Sequence, residues 1–201
     1  MDEGGWGGAL IESEVLNRLA CGLEDRPNAD NGKAAAAVAA ILTDELDPSL
    51  LFIHRVAHDK DPWSGHIAFP GGRIESGDTS ARHAAVRETE EEVGLLLPEQ
   101  AYIGQLDDIT GATIQISVSC HCFAINQMPK LETNHEVEDT FTVTLTDLGD
   151  KSRWVQQEFE IRGDKRLYSG IDLGLSGKPL LWGLTYRFVT QILAITDPSW
   201  Q

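Results

Sequence analysis

Cysteine is scarce in this sequence, and long apolar runs are missing. The only cysteines among the 201 residues are Cys21, Cys120 and Cys122, and this odd count gives no basis for the disulfide framework of a small secreted domain. The start, MDEGGWGGAL, is acidic and glycine-rich, whereas a signal peptide needs basic residues and an apolar run. No stretch approaches the roughly 20 apolar residues that span a bilayer. We therefore expect reduced thiols and a cytoplasmic protein without a membrane partner.

Basic residues are also few, with 16 Lys and Arg against 32 Asp and Glu and a formal net charge of -16. A surface that binds nucleic acid or anionic lipid needs clustered Lys and Arg, so neither partner is expected. A phosphorylated small molecule is not excluded, because a bound divalent cation can reverse the local potential.

The length of the chain is sufficient for one domain with a hydrophobic core. We expect a flexible N-terminal segment over residues 1–8 and a single domain over 9–201. Predicted strands and helices do not alternate regularly, which favours the α+β class. The sequence leaves the assembly open, with a homodimer as one outcome.

The most informative stretch is 69–95, FPGGRIESGDTSARHAAVRETEEEVGL. A Pro-Gly-Gly turn leads into a predicted helix that ends near Gly94. Glu88, Glu91 and Glu92 follow the i, i+3, i+4 spacing and therefore share one face of that helix. Carboxylates this close repel one another, so a cation is needed to neutralise them. Clustered oxygen ligands suit Mg²⁺ or Mn²⁺.

This stretch resembles the Nudix box, G-x5-E-x7-R-E-U-x-E-E-x-G-U, in which U is aliphatic. The second half matches from Arg87 to Leu95, except that Thr89 stands at an aliphatic position. The first half is one residue longer than the pattern, so that Gly72 and Asp78 take the glycine and acidic positions. With this spacing behind Phe-Pro-Gly-Gly, the box over 72–95 is similar to that of the coenzyme A pyrophosphatase branch.

The resemblance implies the Nudix fold, an α/β/α sandwich with a mixed β-sheet, and metal-dependent hydrolysis of a pyrophosphate bond. It implies that Glu88, Glu91, Glu92 and the Gly72 carbonyl hold Mg²⁺ or Mn²⁺. It assigns catalysis to Glu91, Glu92 and Arg87, with Arg87 orienting the acidic face through Glu91 or Asp78. The general base stays open between Glu91 and two later residues. These are Glu136 and Glu138.

Substrate contacts are expected from Gly71 and Gly72, and from Arg55 and Trp63 upstream. The coenzyme A branch carries a signature resembling L-L-T-x-R-S-x-x-L-R-x-H there, and this chain keeps it only in part. Arg55 is one residue out of register with that signature. It either contacts the substrate or has a structural role. Trp63 stands at the histidine position, either stacking on a base or packing in the core.

The expected substrate is a small nucleoside diphosphate derivative, with coenzyme A or its thioesters first. Second come ADP-ribose, NADH and dinucleoside polyphosphates. A nucleotide-binding Nudix module without activity is the remaining alternative, but it would be expected to lose one of the three glutamates.

Several further elements follow from apolar spacing. Helices are predicted over 9–23 and 182–195, and a strand is predicted over 102–110. The run 33–42, KAAAAVAAIL, is rich in alanine, which favours helix in isolation. We predict a buried strand there, because a second apolar run follows at 49–56 and because the resemblance places a strand at this point.

Overall fold

The structure, a computed structural model, describes residues 11–24, 34–57, 65–111, 116–161, 164–197 and 199–200. The predicted flexible segment 1–8 and Trp63 lie outside these ranges. None of the helices in the described part combines the length and the apolar character that crossing a membrane requires.

The helices are α1 (Glu14–Glu24), α2 (Ala81–Val93), α3 (Leu145–Gly149) and α4 (Gly183–Thr196). Short 3₁₀ turns lie at Glu99–Ala101 and Lys151–Arg153. The first strands are β1 (Ala36–Thr43), β2 (Ser49–Arg55), β3 (Ile67–Ala68), β4 (Gly71–Arg73) and β5 (Tyr102–Gln105). They are followed by β6 (Ile109–Thr110), β7 (Ser117–Ile125), β8 (Val137–Thr144), β9 (Trp154–Ile161), β10 (Asp164–Ile171) and β11 (Leu181–Trp182).

A mixed sheet occupies the centre of the fold. Its main path runs β3-β2-β1-β7-β5, and β4, β6 and β8 pair with β1, β7 and β2 respectively. The pair β1–β7 is parallel, whereas the other pairs in this sheet are antiparallel. A second, antiparallel sheet has the order β11-β10-β9. The predicted α+β class is therefore confirmed.

Two buried apolar clusters lie on the two faces of the mixed sheet. Alternate residues of β1 divide between them: Ala40 and Leu42 belong to one cluster, and Ala39 and Ile41 belong to the other. The first cluster includes residues of α1 and α4, whereas the second includes residues of α2. This arrangement is the expected α/β/α sandwich.

The alanine-rich run is a strand, as predicted, because its surroundings override its helix propensity. β1 pairs with β2, β4 and β7, and its residues from Ala39 to Thr43 are buried. A strand buried on both faces has no polar side, which explains its continuous apolar sequence.

Two predicted elements differ from the structure. The strand over 102–110 is divided into β5 and β6, which pair with the same neighbour. Gln105 and Ile109, four residues apart, oppose His121 and Val118, three residues apart, so the interruption has the geometry of a β-bulge. Residues 9 and 10 of the helix predicted over 9–23 lie outside the described ranges, and α1 begins at Glu14. Ser13 caps it, since its hydroxyl accepts the Leu16 N–H at 3.4 Å and its carbonyl accepts the Asn17 N–H at 3.0 Å.

We expect Phe52→Ala to lower the free energy of unfolding by about 3–5 kcal/mol, the usual cost of truncating a core phenylalanine. Phe52 is fully buried, and its ring stacks on Phe69 at 5.3 Å and on Phe141 at 5.9 Å. Urea denaturation measures the change. Leu46→Ala is the control, because Leu46 is 97% exposed; equal losses in both variants would contradict this packing.

Candidate active site

Gly71 and Gly72, which were predicted in a turn, begin strand β4 after a bend at Pro70, and β4 lies close against β1. We call this bend with its two glycines the Gly71–Gly72 turn. Gly71 pairs with Val38, and its backbone has φ +149°, a conformation that side-chain-bearing residues rarely adopt. A Cβ atom on Gly71 would collide with the Ala37 carbonyl oxygen and with Val38. Glycine is therefore required at this position by both conformation and space.

Gly72 has a different reason to lack a side chain. A Cβ atom there would collide with the Glu88 carboxylate, so this carboxylate lies directly against the turn. The turn and helix α2 therefore meet without an intervening side chain.

Helix α2 is capped at both ends. The Ser80 hydroxyl accepts a hydrogen bond from the His83 N–H at 3.0 Å, and Gly94 ends the helix in the left-handed conformation. Thr89, at the aliphatic position of the box, is fully buried. Its hydroxyl donates to the Ala85 carbonyl at 2.7 Å, so the polar atom is satisfied and its methyl group can pack.

Arg87 connects the loop, the turn and the acidic face of α2. Its Nε and Nη2 atoms donate to Asp78 at 3.1 and 3.0 Å, and Nη2 also donates to the Arg73 carbonyl. Nη1 donates to Glu88 at 3.0 Å and to Glu91 at 3.1 Å. The two partners that the sequence suggested for Arg87, Asp78 and Glu91, are thus both engaged.

This pairing shifts both ionisable groups away from their ordinary pKa values. The hydrogen bonds from Arg87 lower the pKa of Asp78 to about 2, and the Asp78 side chain is only 2% exposed. The same hydrogen bonds raise the pKa of Arg87. Both groups therefore stay charged across the physiological range.

Glu92 is the buried carboxylate of the site, with 2% of its surface exposed. It accepts a hydrogen bond from the Gly71 N–H at 2.9 Å and another from Arg55 Nη1 at 3.2 Å. Burial raises its pKa to about 7, against the lowering effect of these two partners. Burial also raises the pKa of Glu88.

A cleft of about 1510 Å³ opens beside these residues. Glu88 and Glu92 line it together with Gly71, Gly72 and Arg55, so most of the residues predicted for the site meet in one place. Glu136 also lines the cleft, and its carboxylate lies 3.9 Å from Arg55 Nη2.

Two predicted carboxylates occupy other positions. The Glu91 side chain is 55% exposed and pairs with Arg87, and Glu91 is not among the described residues that line the cleft. Glu138 pairs with His54 at 3.3 Å and is likewise absent from the described lining. Of the three candidate bases, Glu136 is the one that lines the cleft.

Four of the aromatic residues that line the cleft were not predicted as site residues from the sequence: His66, Phe159, Tyr168 and Trp182. Phe159 and Tyr168 lie on the paired strands β9 and β10, and the position of these strands beside the cleft depends on packing between residues that are distant in the sequence. Trp63, the ring that the sequence suggested, lies outside the described residues.

The donor set at this end of the cleft fits a hard divalent cation. The carboxylates offer only oxygen atoms as ligands, which is what Mg²⁺ and Mn²⁺ prefer. The Glu88 carboxylate also lies against Gly72, whose carbonyl is the fourth predicted ligand. In the described part of the chain, no three His, Cys, Asp or Glu side chains already surround a common point. Arg87 and Arg55 hold the glutamates, so binding an ion would require these carboxylates to turn towards it.

Comparison with known proteins points to the same family as the resemblance of residues 72–95. The family model described as NUDIX domain matches residues 33–162. The chain is 30% identical over 183 residues to mitochondrial coenzyme A diphosphatase NUDT8 from Homo sapiens, and the match covers 88% of this chain and 76% of that protein. It is 28% identical over 160 residues to the uncharacterized Nudix hydrolase NudL from Escherichia coli strain K12 / DH10B, covering 78% and 80%.

Among solved structures, the crystal structure of a MutT/nudix family protein from Enterococcus faecalis matches with a TM-score of 0.57 and 13% identity. The match covers 92% of this chain and 70% of that chain. At this identity the likeness concerns the fold alone.

We expect Asp78→Asn to lower the melting temperature at pH 7, because it removes the charged group that accepts two hydrogen bonds from Arg87. The pKa of Asp78 is about 2 in the folded protein against an ordinary value of 3.8. Its contribution to stability is therefore complete above pH 3.8 and is lost as the pH falls from 3.8 to 2. The variant should show a correspondingly weaker loss of stability over that interval.

Thermal unfolding between pH 7 and pH 2 measures this difference. Glu90→Gln is the matched control, since Glu90 is exposed on the same helix and should leave the acid dependence of the wild type intact. Parallel curves for Asp78→Asn and the wild type would contradict the assignment.

Proposed function

The chain belongs to the Nudix family, and on this premise we propose that it is a divalent-metal-dependent pyrophosphohydrolase acting on coenzyme A or its thioesters. One observation carries the proposal: Glu88 and Glu92 line a single cleft with the Gly71–Gly72 turn and Arg55. All three glutamates of the box are present, which favours an enzyme over a module that has lost catalysis.

The proposed ligands of Mg²⁺ or Mn²⁺ are Glu88, Glu91, Glu92 and the Gly72 carbonyl. The bound ion would shield the phosphate oxygens and make water more acidic. Arg87 holds Glu88 and Glu91 by two hydrogen bonds from one nitrogen, so its part in catalysis is to orient the acidic face.

Arg55 lies between two carboxylates, with Nη1 at 3.2 Å from Glu92 and Nη2 at 3.9 Å from Glu136. It fixes the orientation of Glu92 and adds positive charge to the wall of the cleft, where the diphosphate would bind. Glu136 is the residue that we assign as general base, taking a proton from the attacking water. Its position in the cleft supports this choice over Glu91 and Glu138.

Coenzyme A is placed first for two reasons. The box spacing behind Phe-Pro-Gly-Gly is similar to that of coenzyme A pyrophosphatases, and a relative with 30% identity is named a coenzyme A diphosphatase. Cleavage would give 4′-phosphopantetheine and 3′,5′-ADP. A cytoplasmic location stays a prediction, because that relative is named mitochondrial.

We expect Glu88→Gln and Glu92→Gln each to reduce kcat by at least about 100-fold at saturating Mg²⁺, because each removes a charged ligand of the proposed ion. Steady-state hydrolysis assays measure the loss, and Glu90→Gln on the exposed side of α2 is the matched control. If both site variants kept the wild-type kcat, Glu88 and Glu92 would not be ligands of the catalytic ion. As a readout independent of activity, Mg²⁺ should raise the melting temperature of the wild type and not of a variant with all three ligands changed to Gln.

The substrate is tested with a panel of coenzyme A, ADP-ribose, NADH and a dinucleoside polyphosphate, with identification of the products. We expect the highest kcat/KM for coenzyme A or a thioester of it. A clearly higher value for ADP-ribose or NADH would reject coenzyme A and leave the reaction class standing.

A further inference from the structure

Three aromatic side chains form a cluster on one wall of the cleft. The rings of Phe159 and Trp182 stack with their centroids 4.0 Å apart and an angle of 14° between their planes. The Tyr168 ring lies 5.2 Å from Trp182 and 6.1 Å from Phe159. All three residues line the cleft and are only partly buried. We call Phe159, Tyr168 and Trp182 the ring cluster.

The pairing of the small sheet explains why these rings meet. Phe159 pairs with Arg166, and Tyr168 with Gln157, so that Phe159 and Tyr168 lie two positions apart in the ladder and share a face. Trp182 pairs with Gly170, which follows Tyr168 by two residues. The three rings therefore project from the same face of β9-β10-β11.

His66 connects the ring cluster to the carboxylate end of the cleft. Its ring packs edge-on against Trp182 with the centroids 4.9 Å apart. Its carbonyl accepts the Arg55 N–H at 3.1 Å, and β3, which begins at the next residue, leads to the Gly71–Gly72 turn. The ring cluster is thus attached to the same backbone that positions Arg55 and the two glycines.

The cleft is large enough for a substrate that reaches both ends. Its volume of about 1510 Å³ exceeds the range of roughly 300–1,000 Å³ that is usual for small-ligand pockets. A diphosphate bound at the carboxylates would leave the rest of a nucleotide-sized molecule to extend along the wall. Phe159 lies within the segment that matches the family model, whereas Tyr168 and Trp182 lie beyond residue 162, where that match ends.

We propose that the ring cluster binds the planar base of the nucleoside diphosphate by stacking and so determines substrate preference. The inference rests on the proposed function, since it takes the diphosphate to lie at Glu88 and Glu92. Conjugated rings offer π-surface that stacks on any base, and such stacking changes affinity by roughly 5- to 150-fold on removal of one ring.

The test compares binding of AMP and of ribose 5-phosphate, which share the phosphorylated sugar and differ in the base. Isothermal titration calorimetry with Mg²⁺ should give a Kd for AMP at least about tenfold lower than that for ribose 5-phosphate in the wild type. Phe159→Leu should reduce this ratio at least about fivefold, because the aliphatic side chain keeps apolar volume without the ring. Phe159→Tyr keeps an aromatic ring and should therefore keep the wild-type ratio of the two Kd values.

One control variant and one further ring variant complete the comparison. Leu46→Ala is the control, because Leu46 is 97% exposed and absent from the described cleft lining, and it should leave the ratio unchanged. Tyr168→Leu provides a second test of the ring cluster if Phe159→Leu does not fold. An unchanged ratio in both leucine variants would overturn the inference, even if coenzyme A is hydrolysed.

The same measurements distinguish a failure of the proposed substrate from a failure of base stacking. If coenzyme A is not hydrolysed but the AMP preference depends on Phe159, base stacking stands and the proposed substrate fails. If instead Phe159→Leu lowers kcat/KM for octanoyl-coenzyme A relative to coenzyme A without altering the AMP preference, the wall serves an acyl chain and the base assignment is wrong.

Discussion

The active-site end of this fold depends on the five-donor guanidinium of Arg87. Four acidic residues lie within five positions on α2, and such a helix face repels itself unless a cation is fixed nearby. Arg87 supplies that positive charge, and its guanidinium donates hydrogen bonds to the carboxylates of Asp78, Glu88 and Glu91. It also donates one to the Arg73 carbonyl. A lysine has a single ammonium and lacks the planar fork that makes two parallel bonds to Asp78. The same contacts therefore stabilise the helix, fix the loop before it and orient two proposed metal ligands.

The second constraint is the absence of side chains at Gly71 and Gly72. Without Cβ atoms, the turn lies against β1 on one side and against Glu88 on the other. The Gly71 N–H can then reach Glu92, which is buried between the turn and the helix. Strand pairing thus sets the distance between sheet and helix, and that distance sets the position of both glutamates.

The sequence was sufficient for the features that depend on local spacing. The intervals between Arg87, Glu88 and Glu92 predicted the helix and the face that its glutamates share, whereas the two glycines predicted in a turn belong to strand β4. It was not sufficient where a contact joins distant residues. Arg55 meets Glu92 across 37 positions, and no periodicity indicates that Glu136 and not Glu138 lines the cleft. The β-bulge between β5 and β6 also escaped prediction, since it is visible only against the register of β7.

The family-matched segment ends at residue 162, but the fold does not end there. Helix α4 contributes Phe188, Val189, Ile192 and Leu193 to the cluster that covers one face of the mixed sheet. A fragment cut at that boundary would keep every residue of the box and would still leave Leu42, Leu50 and Phe52 facing water. Recombinant production of residues 33–162 by themselves should therefore yield aggregating material, and domain boundaries for this chain have to be drawn from its packing.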